Sequence, residues 1–166
     1  MHVSYCRIWN YWTSNPIDPL SVSDARRHDV SGELYTAVVG PLEDPDAIVE
    51  VVRPEHIGVH FLDEKRRKWQ TFTFWLVDKK MFLKSIIRWQ YGDDSARLIN
   101  ESELIEEITY KVDGTVRREI TDEKAHERTV TDYRDVNLDI NWEPVPEFGD
   151  WGSITRFDRD KPARQA

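Results

Sequence analysis

The sequence predicts an all-β fold with one short helix, an antiparallel meander of about eight strands that forms a closed or half-open barrel or sandwich. Three observations support this prediction. Apolar and polar residues alternate with period two in several segments, as in strands with one buried face. Short charged or glycine-containing turns separate consecutive segments, which is typical of antiparallel hairpins. Aromatic residues make up 11% of the chain and supply a large apolar area for a core.

The chain of 166 residues is expected to form a single β domain over residues 1–157, followed by a solvated tail over residues 158–166 that lacks periodicity. The predicted strands cover residues 3–12, 34–39, 48–52, 57–61, 71–77, 81–91, the two arms of a hairpin within 103–121, and 128–142. The segment 48–52 is ambiguous, because Asp44-Pro45 before it is a good helix start. Its β-branched residues favour a strand.

The one helix is predicted at residues 22–28, where it would make one or two turns. Ser21 with Asp24 three residues later resembles a capping box, with Asp in the place of Glu. Gly32 is expected to close this segment. Pro16 and Pro19 predict a loop before the helix.

The hydrophobic centre of the chain lies between residues 57 and 91. One strand places Phe72, Phe74 and Leu76 on a common face, and its other face is also apolar or Thr. Both faces of this strand are therefore expected to be covered. The next strand is predicted to place a second apolar set on one face: Met81, Leu83, Ile87, Trp89 and Tyr91.

The hairpin that follows contains an Asp-Gly turn whose length decides the register. A three-residue loop with Gly114 in the left-handed conformation places Tyr110 opposite Val116 and Ile108 opposite Arg118. This register gathers the apolar side chains on one face, whereas a two-residue turn would place charged residues opposite both Tyr110 and Ile108. The sequence therefore predicts the bulged turn.

The last predicted strand, over residues 128–142, carries the candidate binding face. Its apolar residues alternate with acceptor side chains, so the acceptors are expected to point into water. Two aromatic residues follow around Gly149, after two prolines that end the strand. The residues predicted to bind a partner are Asn137, Asp139, Asn141, Glu143, Phe148, Asp150 and Trp151.

The negative charge is concentrated in one part of the chain. Residues 93–150 contain 17 of the 31 acidic and 7 of the 23 basic residues. This excess disfavours nucleic acid as a partner and favours a basic protein, while a solubilising surface is the alternative interpretation. The four cations of residues 65–68 are expected to pair with the chain's own acids or to form a solvated tip. The single cysteine and the lack of a signal peptide or a long apolar run predict a cytoplasmic protein without membrane contact.

Candidate catalytic and metal-binding residues have competing structural interpretations. His56 and His60 lie four residues apart, but on a strand this spacing separates them by about 13 Å, so no metal site is predicted. Cys6 is expected to be a small buried hydrophobe. Asp132 is expected on the inward face near aromatic residues, where acid–base chemistry is possible, although a pair with Arg134 or exposure explains it equally well. The sequence contains no cofactor-binding motif, so neither a cofactor nor a catalytic residue is assigned.

Three functional hypotheses follow from these observations. The first is a non-catalytic protein-binding domain that engages a basic protein through its acidic strands. In composition the chain resembles immunity and antitoxin proteins, which would make it an inhibitor of a toxin. The alternatives are a β-barrel that binds a small apolar ligand among its aromatic residues, and an enzyme that uses an inward carboxylate or His. The sequence leaves the oligomeric state open.

Overall fold

The computed structural model of the protein describes residues 2–52 and 55–157, so the predicted tail over residues 158–166 lies outside the described residues. In the described part, the chain forms one α-helix and eleven strands. Their order is β1 (Val3–Asn10), β2 (Asn15–Leu20), α1 (Val22–Ser31), β3 (Tyr35–Val39), β4 (Ala47–Val52), β5 (His56–Leu62), β6 (Lys68–Val77), β7 (Lys80–Gln90), β8 (Leu104–Tyr110), β9 (Val116–Asp122), β10 (Glu127–Tyr133) and β11 (Trp142–Pro144). Short 3-10 helices cover Ile99–Glu101 and Asp139–Asn141.

All strands belong to one antiparallel sheet, in the order β10-β9-β8-β7-β6-β5-β4-β3-β1-β2. β11 pairs with the first residues of β7, whereas β8 pairs with its last residues. The two outer strands of the described sheet, β2 and β10, do not pair with each other, so the sheet is not closed. The predicted all-β fold with one helix is confirmed, in a half-open form.

β2 corrects the prediction of a loop around Pro16 and Pro19. Both prolines lie in this strand and pair with residues of β1. An outer strand tolerates proline, because the missing N–H can be the one that would otherwise face solvent.

The helix runs to Ser31 and is longer than predicted, but the residues at its two caps are those predicted. The Ser21 side chain accepts a hydrogen bond from the backbone N–H of Asp24, and Gly32 closes the helix with a φ of 79°. The N–H of Gly32 donates to the carbonyl of His28. None of the helices in the described residues is long and apolar enough to span a membrane.

A β-bulge in β7 changes which of its residues face the core. Leu83 and Ser85 pair with consecutive residues of β6, so Lys84 is the extra residue. The side-chain alternation therefore shifts by one, and Ile86 rather than Ile87 joins Leu83 in the main core. The prediction of a single apolar face through Ile87 was wrong for this reason.

The β8–β9 hairpin has the predicted register. Tyr110 pairs with Val116 and Ile108 with Arg118, and Gly114 adopts a φ of 86°. The turn is closed by a hydrogen bond from the N–H of Lys111 to the carbonyl of Thr115, 2.9 Å long.

The predicted strand over residues 128–142 is wrong beyond Tyr133. The chain leaves β10 there, forms the 3-10 helix Asp139–Asn141, and enters the sheet again as β11 beside β7. Ile140, expected inside, is 48% exposed, whereas Asn141, expected outside, is 2% exposed. The helical turn rotates the side chains out of the period-two pattern.

Candidate functional site

Three of the seven predicted binding residues are buried. Asn141 donates from its amide nitrogen to the carbonyl oxygen of Leu83, 3.0 Å away, and so ties the 3-10 helix to β7. Glu143 accepts a 2.8 Å hydrogen bond from the guanidinium of Arg156. Trp151 is fully buried in the main core. These three side chains hold the C-terminal segment against the sheet and are not presented to solvent.

Phe148 and Asp150 lie in a different part of the molecule from the remaining two. The Phe148 ring stacks on Tyr5 of β1, with ring centres 5.1 Å apart, and the guanidinium of Arg26 lies over it at 4.7 Å. Asp150 is exposed in the same loop. Phe148 is therefore part of the packing of β1 and α1.

Asn137 and Asp139 are exposed, and they line an acidic groove at the tip of the β8–β9 hairpin. The groove has a volume of about 390 Å³. Its residues come from the hairpin turn, from the segment between β10 and β11, and from the first residue of β11: Val112, Asp113, Gly114, Asp135, Val136, Asn137, Leu138, Asp139 and Trp142. We call this set of residues the acidic groove.

The backbone of the acidic groove is held by one hydrogen bond between its two segments and one within the segment 135–139. The N–H of Val136 donates to the carbonyl of Gly114, 3.1 Å away, and the N–H of Asp139 donates to the side chain of Asn137 at 2.8 Å. A side chain at Gly114 would meet the carbonyl oxygen of Val136 at 3.2 Å, in addition to the strain of a positive φ. The close approach of the two segments therefore needs glycine at this position.

The rim of the groove carries three carboxylates, and the side chains of Val112, Val136, Leu138 and Trp142 also line the groove. No cation in the described residues forms an ion pair with Asp113, Asp135 or Asp139. Hydrogen bonds from the backbone and side chain of Thr115 lower the pKa of Asp113, so this rim carboxylate is charged at neutral pH. Trp142 packs against a hydrophobic cluster, separate from the main core, that contains Phe82, Val116 and Leu138, and its ring centre lies 4.7 Å from that of Phe82.

Three acids on β8–β10 differ from those of the groove, because they are paired with arginines. Asp132, expected on an inward face near aromatic residues, is instead exposed on β10 and accepts from Nε of Arg117 at 2.8 Å. That hydrogen bond lowers the pKa of Asp132, so the acid–base role weighed for it has no support in its surroundings. The other paired acids are Glu106, with Arg88 and Arg118, and Glu119, with Arg128.

The cations of residues 65–68 also contact the chain itself. Lys65 pairs with Asp94, and Arg67 pairs with Asp63 at 2.7 Å. The Lys68 ammonium lies 3.8 Å from the centre of the Tyr11 ring. The two ion pairs agree with the expectation that these cations pair with the chain's own acids.

A second polar cluster, which the sequence did not reveal, lies on the other face of the sheet from the main core. Glu50 Oε2 is 3.3 Å from His60 Nε2, and its Oε1 accepts from the hydroxyl of Tyr11 at 3.1 Å. The other imidazole nitrogen, Nδ1, is 2.8 Å from the hydroxyl oxygen of Thr71. We call Tyr11, Glu50, His60, Lys68 and Thr71 the buried network.

Electrostatics fix the protonation states in the buried network. Burial alone would raise the pKa of Glu50, but its contacts with His60, Lys68 and Tyr11 lower it to about 2. Burial lowers the pKa of His60, so at neutral pH a neutral imidazole faces a charged carboxylate. The proton then belongs on Nε2, toward Glu50, and Nδ1 accepts the hydroxyl proton of Thr71.

The order carboxylate, imidazole, hydroxyl in the buried network is the order found in nucleophilic triads. Thr71 and His60, however, are only 6% and 7% exposed, and neither of the two surface clefts described, the acidic groove and one lined by residues of 62–69, includes either of them. The observed geometry holds a buried histidine between the Thr71 hydroxyl, 2.8 Å from Nδ1, and the Glu50 carboxylate, 3.3 Å from Nε2.

Sequence reasoning missed two groove carboxylates and the buried network. Asp113 had a visible signal, since it precedes the turn glycine, but its approach to residues 135–139 depends on the tertiary fold. Glu50 also had a signal, because it is the one charged residue within the apolar strand β4. Comparison of the chain with protein-family models, with curated proteins and with solved structures finds no match.

Proposed function

We propose that the chain is a non-catalytic protein-binding domain whose acidic groove receives a cationic side chain from a basic partner protein. The observation that carries the proposal is the rim of the groove, where Asp113, Asp135 and Asp139 have no ion pair among the described residues. Three acids elsewhere on β8–β10, Glu106, Glu119 and Asp132, are paired with neighbouring arginines. The charge left over at the groove is therefore available to a partner.

The chemistry of the groove suits an arginine or lysine. The aliphatic stem of such a side chain packs on the indole of Trp142 and on Val136, while its charged head reaches the carboxylates of the rim. A guanidinium can donate two hydrogen bonds to one carboxylate, which makes this contact stronger than one between neutral groups. The hydrogen bond from Val136 to Gly114 and that from Asp139 to Asn137 keep the acceptors in place before binding, which lowers the entropic cost of association.

The partner is expected to carry a positive surface, because complementary charge accelerates association and excludes acidic competitors. An inhibitor of a basic toxin, of the immunity or antitoxin kind, is the form of this function that the acidic composition favours. Exposed charges are screened within about 8 Å at physiological ionic strength, so binding should weaken as salt is added.

A direct test uses a short arginine-rich peptide as the probe and backbone amide NMR as the readout. We expect shifts at residues 112–114 and 135–139 that saturate at low salt and disappear at high salt. A variant with Asp113→Asn, Asp135→Asn and Asp139→Asn should lose them. The matched control is Asp122→Asn, Glu123→Gln and Glu127→Gln, which removes the same charge at the opposite end of β8–β10 and should retain them. Shifts that ignore salt, or that spread equally over both ends, would contradict the proposal.

The inhibitor form of the proposal has its own test. The protein is co-expressed with the products of neighbouring genes, and growth is measured. We expect one product to arrest growth, and we expect the wild-type protein and the control variant to relieve the arrest while the groove variant does not. If no neighbouring product is toxic, or if the groove variant protects as well as the wild type, the groove is not an inhibitory surface.

A further inference from the structure

The outer strand β10 has a free edge. It pairs with β9 alone in the described residues, and six of its seven residues are exposed. The opposite outer strand, β2, is protected from further pairing by Pro16, by Pro19 and by Asp18, whose φ is 50°. β10 contains neither proline nor glycine, and none of its residues has a positive φ.

The chain at both ends of β10 turns away from this edge. After β9 the N–H of Glu123 donates to the carbonyl of Glu103, 2.8 Å away, which draws the turn before β10 toward β8. After β10 the N–H of Val136 donates to Gly114 in the β8–β9 turn, which draws the following segment to the same side. Within residues 2–52 and 55–157, the outward N–H and C=O groups of β10 are thus left without a covering loop.

The sequence of β10, Glu-Arg-Thr-Val-Thr-Asp-Tyr, is complementary to itself when reversed about its central residue, Val130. Antiparallel pairing with a second copy, centred there, places Arg128 opposite the partner's Asp132. The same register places Thr129 opposite the partner's Thr131, and Val130 opposite the partner's Val130. Opposite charges, threonine pairs and β-branched pairs are the cross-strand neighbours that stabilise antiparallel strands.

The charges on β9 extend this complementarity. Arg117 of β9 already pairs with Asp132, and Glu119 of β9 pairs with Arg128. Across the junction of two copies, one row would read Arg117, Asp132 and the partner's Arg128, and the partner's Glu119, diagonal to that arginine, would continue the alternation of sign. The charged residues that usually protect a strand edge by repulsion would here attract.

We propose that the protein forms a two-fold symmetric dimer in which β10 of one copy pairs antiparallel with β10 of the other, centred on Val130. The two sheets join into one continuous sheet, and the outward backbone groups of β10 gain hydrogen bonds. Such a contact is isologous, so it closes at two copies and does not propagate into a fibre. The half-exposed side chain of Val130 packs at the centre against its symmetry mate.

The test measures molar mass by light scattering and sedimentation over a wide range of protein concentration. The wild type is expected to reach twice the 19.7 kDa of the chain. The double variant Thr129→Lys, Thr131→Lys places two lysines opposite each other twice across the junction, and it should raise the dissociation constant of the dimer at least about tenfold. Both threonines are exposed, and urea unfolding checks that the variant still folds.

The matched control is the double variant Thr129→Lys, Thr131→Glu, which alters the same two positions but places lysine opposite glutamate. It should remain dimeric. A wild type that stays monomeric at every concentration would overturn the proposal, and so would a dimer that survives in the double-lysine variant, because its interface would lie elsewhere. Loss of the dimer in both variants would also overturn it, since the charge-matched register would then not be the one used.

Discussion

Replacement of Glu50 by Gln tests whether the buried network stabilises the fold. Glutamine has the shape of glutamate and can still accept from Tyr11, but it removes the charge that faces His60 and Lys68. The pKa of Glu50 falls from 4.5 to about 2 in the folded protein, and a difference of this size corresponds to about 3 kcal/mol. The Glu50 side chain keeps 37% of its exposed area, so solvent screening reduces the expected loss to about 1–2 kcal/mol.

The sign of the pH dependence follows from the same shift. A carboxylate whose pKa is depressed by folding stabilises the protein above its unfolded pKa, and this contribution is lost as the pH falls from 4.5 to about 2. His60 acts in the same direction, because burial lowers its pKa and the unfolded state takes up its proton first as the pH falls below 6.5. Wild-type stability should therefore decline from neutral pH toward pH 2, and the part due to Glu50 should be absent in Glu50→Gln.

Urea unfolding at several pH values measures this. At neutral pH the midpoint of Glu50→Gln should lie roughly 0.5–1 M urea below that of the wild type, and the two midpoints should converge near pH 2. Glu147→Gln, which changes an exposed carboxylate without an ion pair in the described residues, is the control and should follow the wild type throughout. Equal midpoints for Glu50→Gln and wild type at neutral pH, or a gap that persists in acid, would refute this account of the network.

Two further substitutions test the segments that shape the acidic groove. Gly114→Ala should lower the free energy of unfolding by about 1–2 kcal/mol, because the φ of 86° suits glycine and the added Cβ would press on the Val136 carbonyl. It should also reduce the affinity for the arginine-rich peptide, measured by NMR titration. An unchanged affinity would mean that the approach of the two groove segments is unimportant for binding. Asn141→Ala should cost about 1–3 kcal/mol in urea unfolding, because the carbonyl of Leu83 loses its buried donor; a neutral result would mean that water replaces the amide.

The features that the sequence predicted correctly are those whose causes lie within a few residues of each other. The register of the β8–β9 hairpin follows from one glycine in the turn and from the apolar side chains beside it. The helix follows from Ser21 at its start and Gly32 at its end. Local chemistry decides these structures, and later packing does not oppose it.

The features that were predicted wrongly depend on contacts between residues that are distant in sequence. The alternation through Asn141 looks like that of a strand, but its amide satisfies the carbonyl of Leu83, 58 residues away in sequence, and is buried. The bulge at Lys84 is likewise set by how β7 fits β6, so no single-strand pattern could show it. A polar residue is predicted outside by default, and only its partner's position can reverse this.

The candidate site was predicted in part for the same reason. Asn137 and Asp139 were expected on an exposed acceptor-rich surface, and they do lie on the rim of the groove. Asp113 and Asp135 join them only because the turn at Gly114 meets the segment after β10. The composition shows that the excess negative charge lies in residues 93–150. In the fold, arginines pair with Glu106, Glu119 and Asp132, whereas the groove carboxylates have no ion pair in the described residues.

The variant that neutralises the three rim carboxylates tests whether these acids serve partner binding or only solubility. Asparagine at position 113 can still accept the hydrogen bond from Thr115, and none of the three rim carboxylates has an ion pair in the described residues. Asp113→Asn, Asp135→Asn and Asp139→Asn together should therefore leave the midpoint of unfolding nearly unchanged, while binding of a basic partner is lost. If the acids served only to keep the protein soluble, this variant and the control at the opposite end of β8–β10 would lose solubility equally, because both remove the same charge. Equal solubility of the two variants with unequal binding would assign the rim carboxylates to recognition.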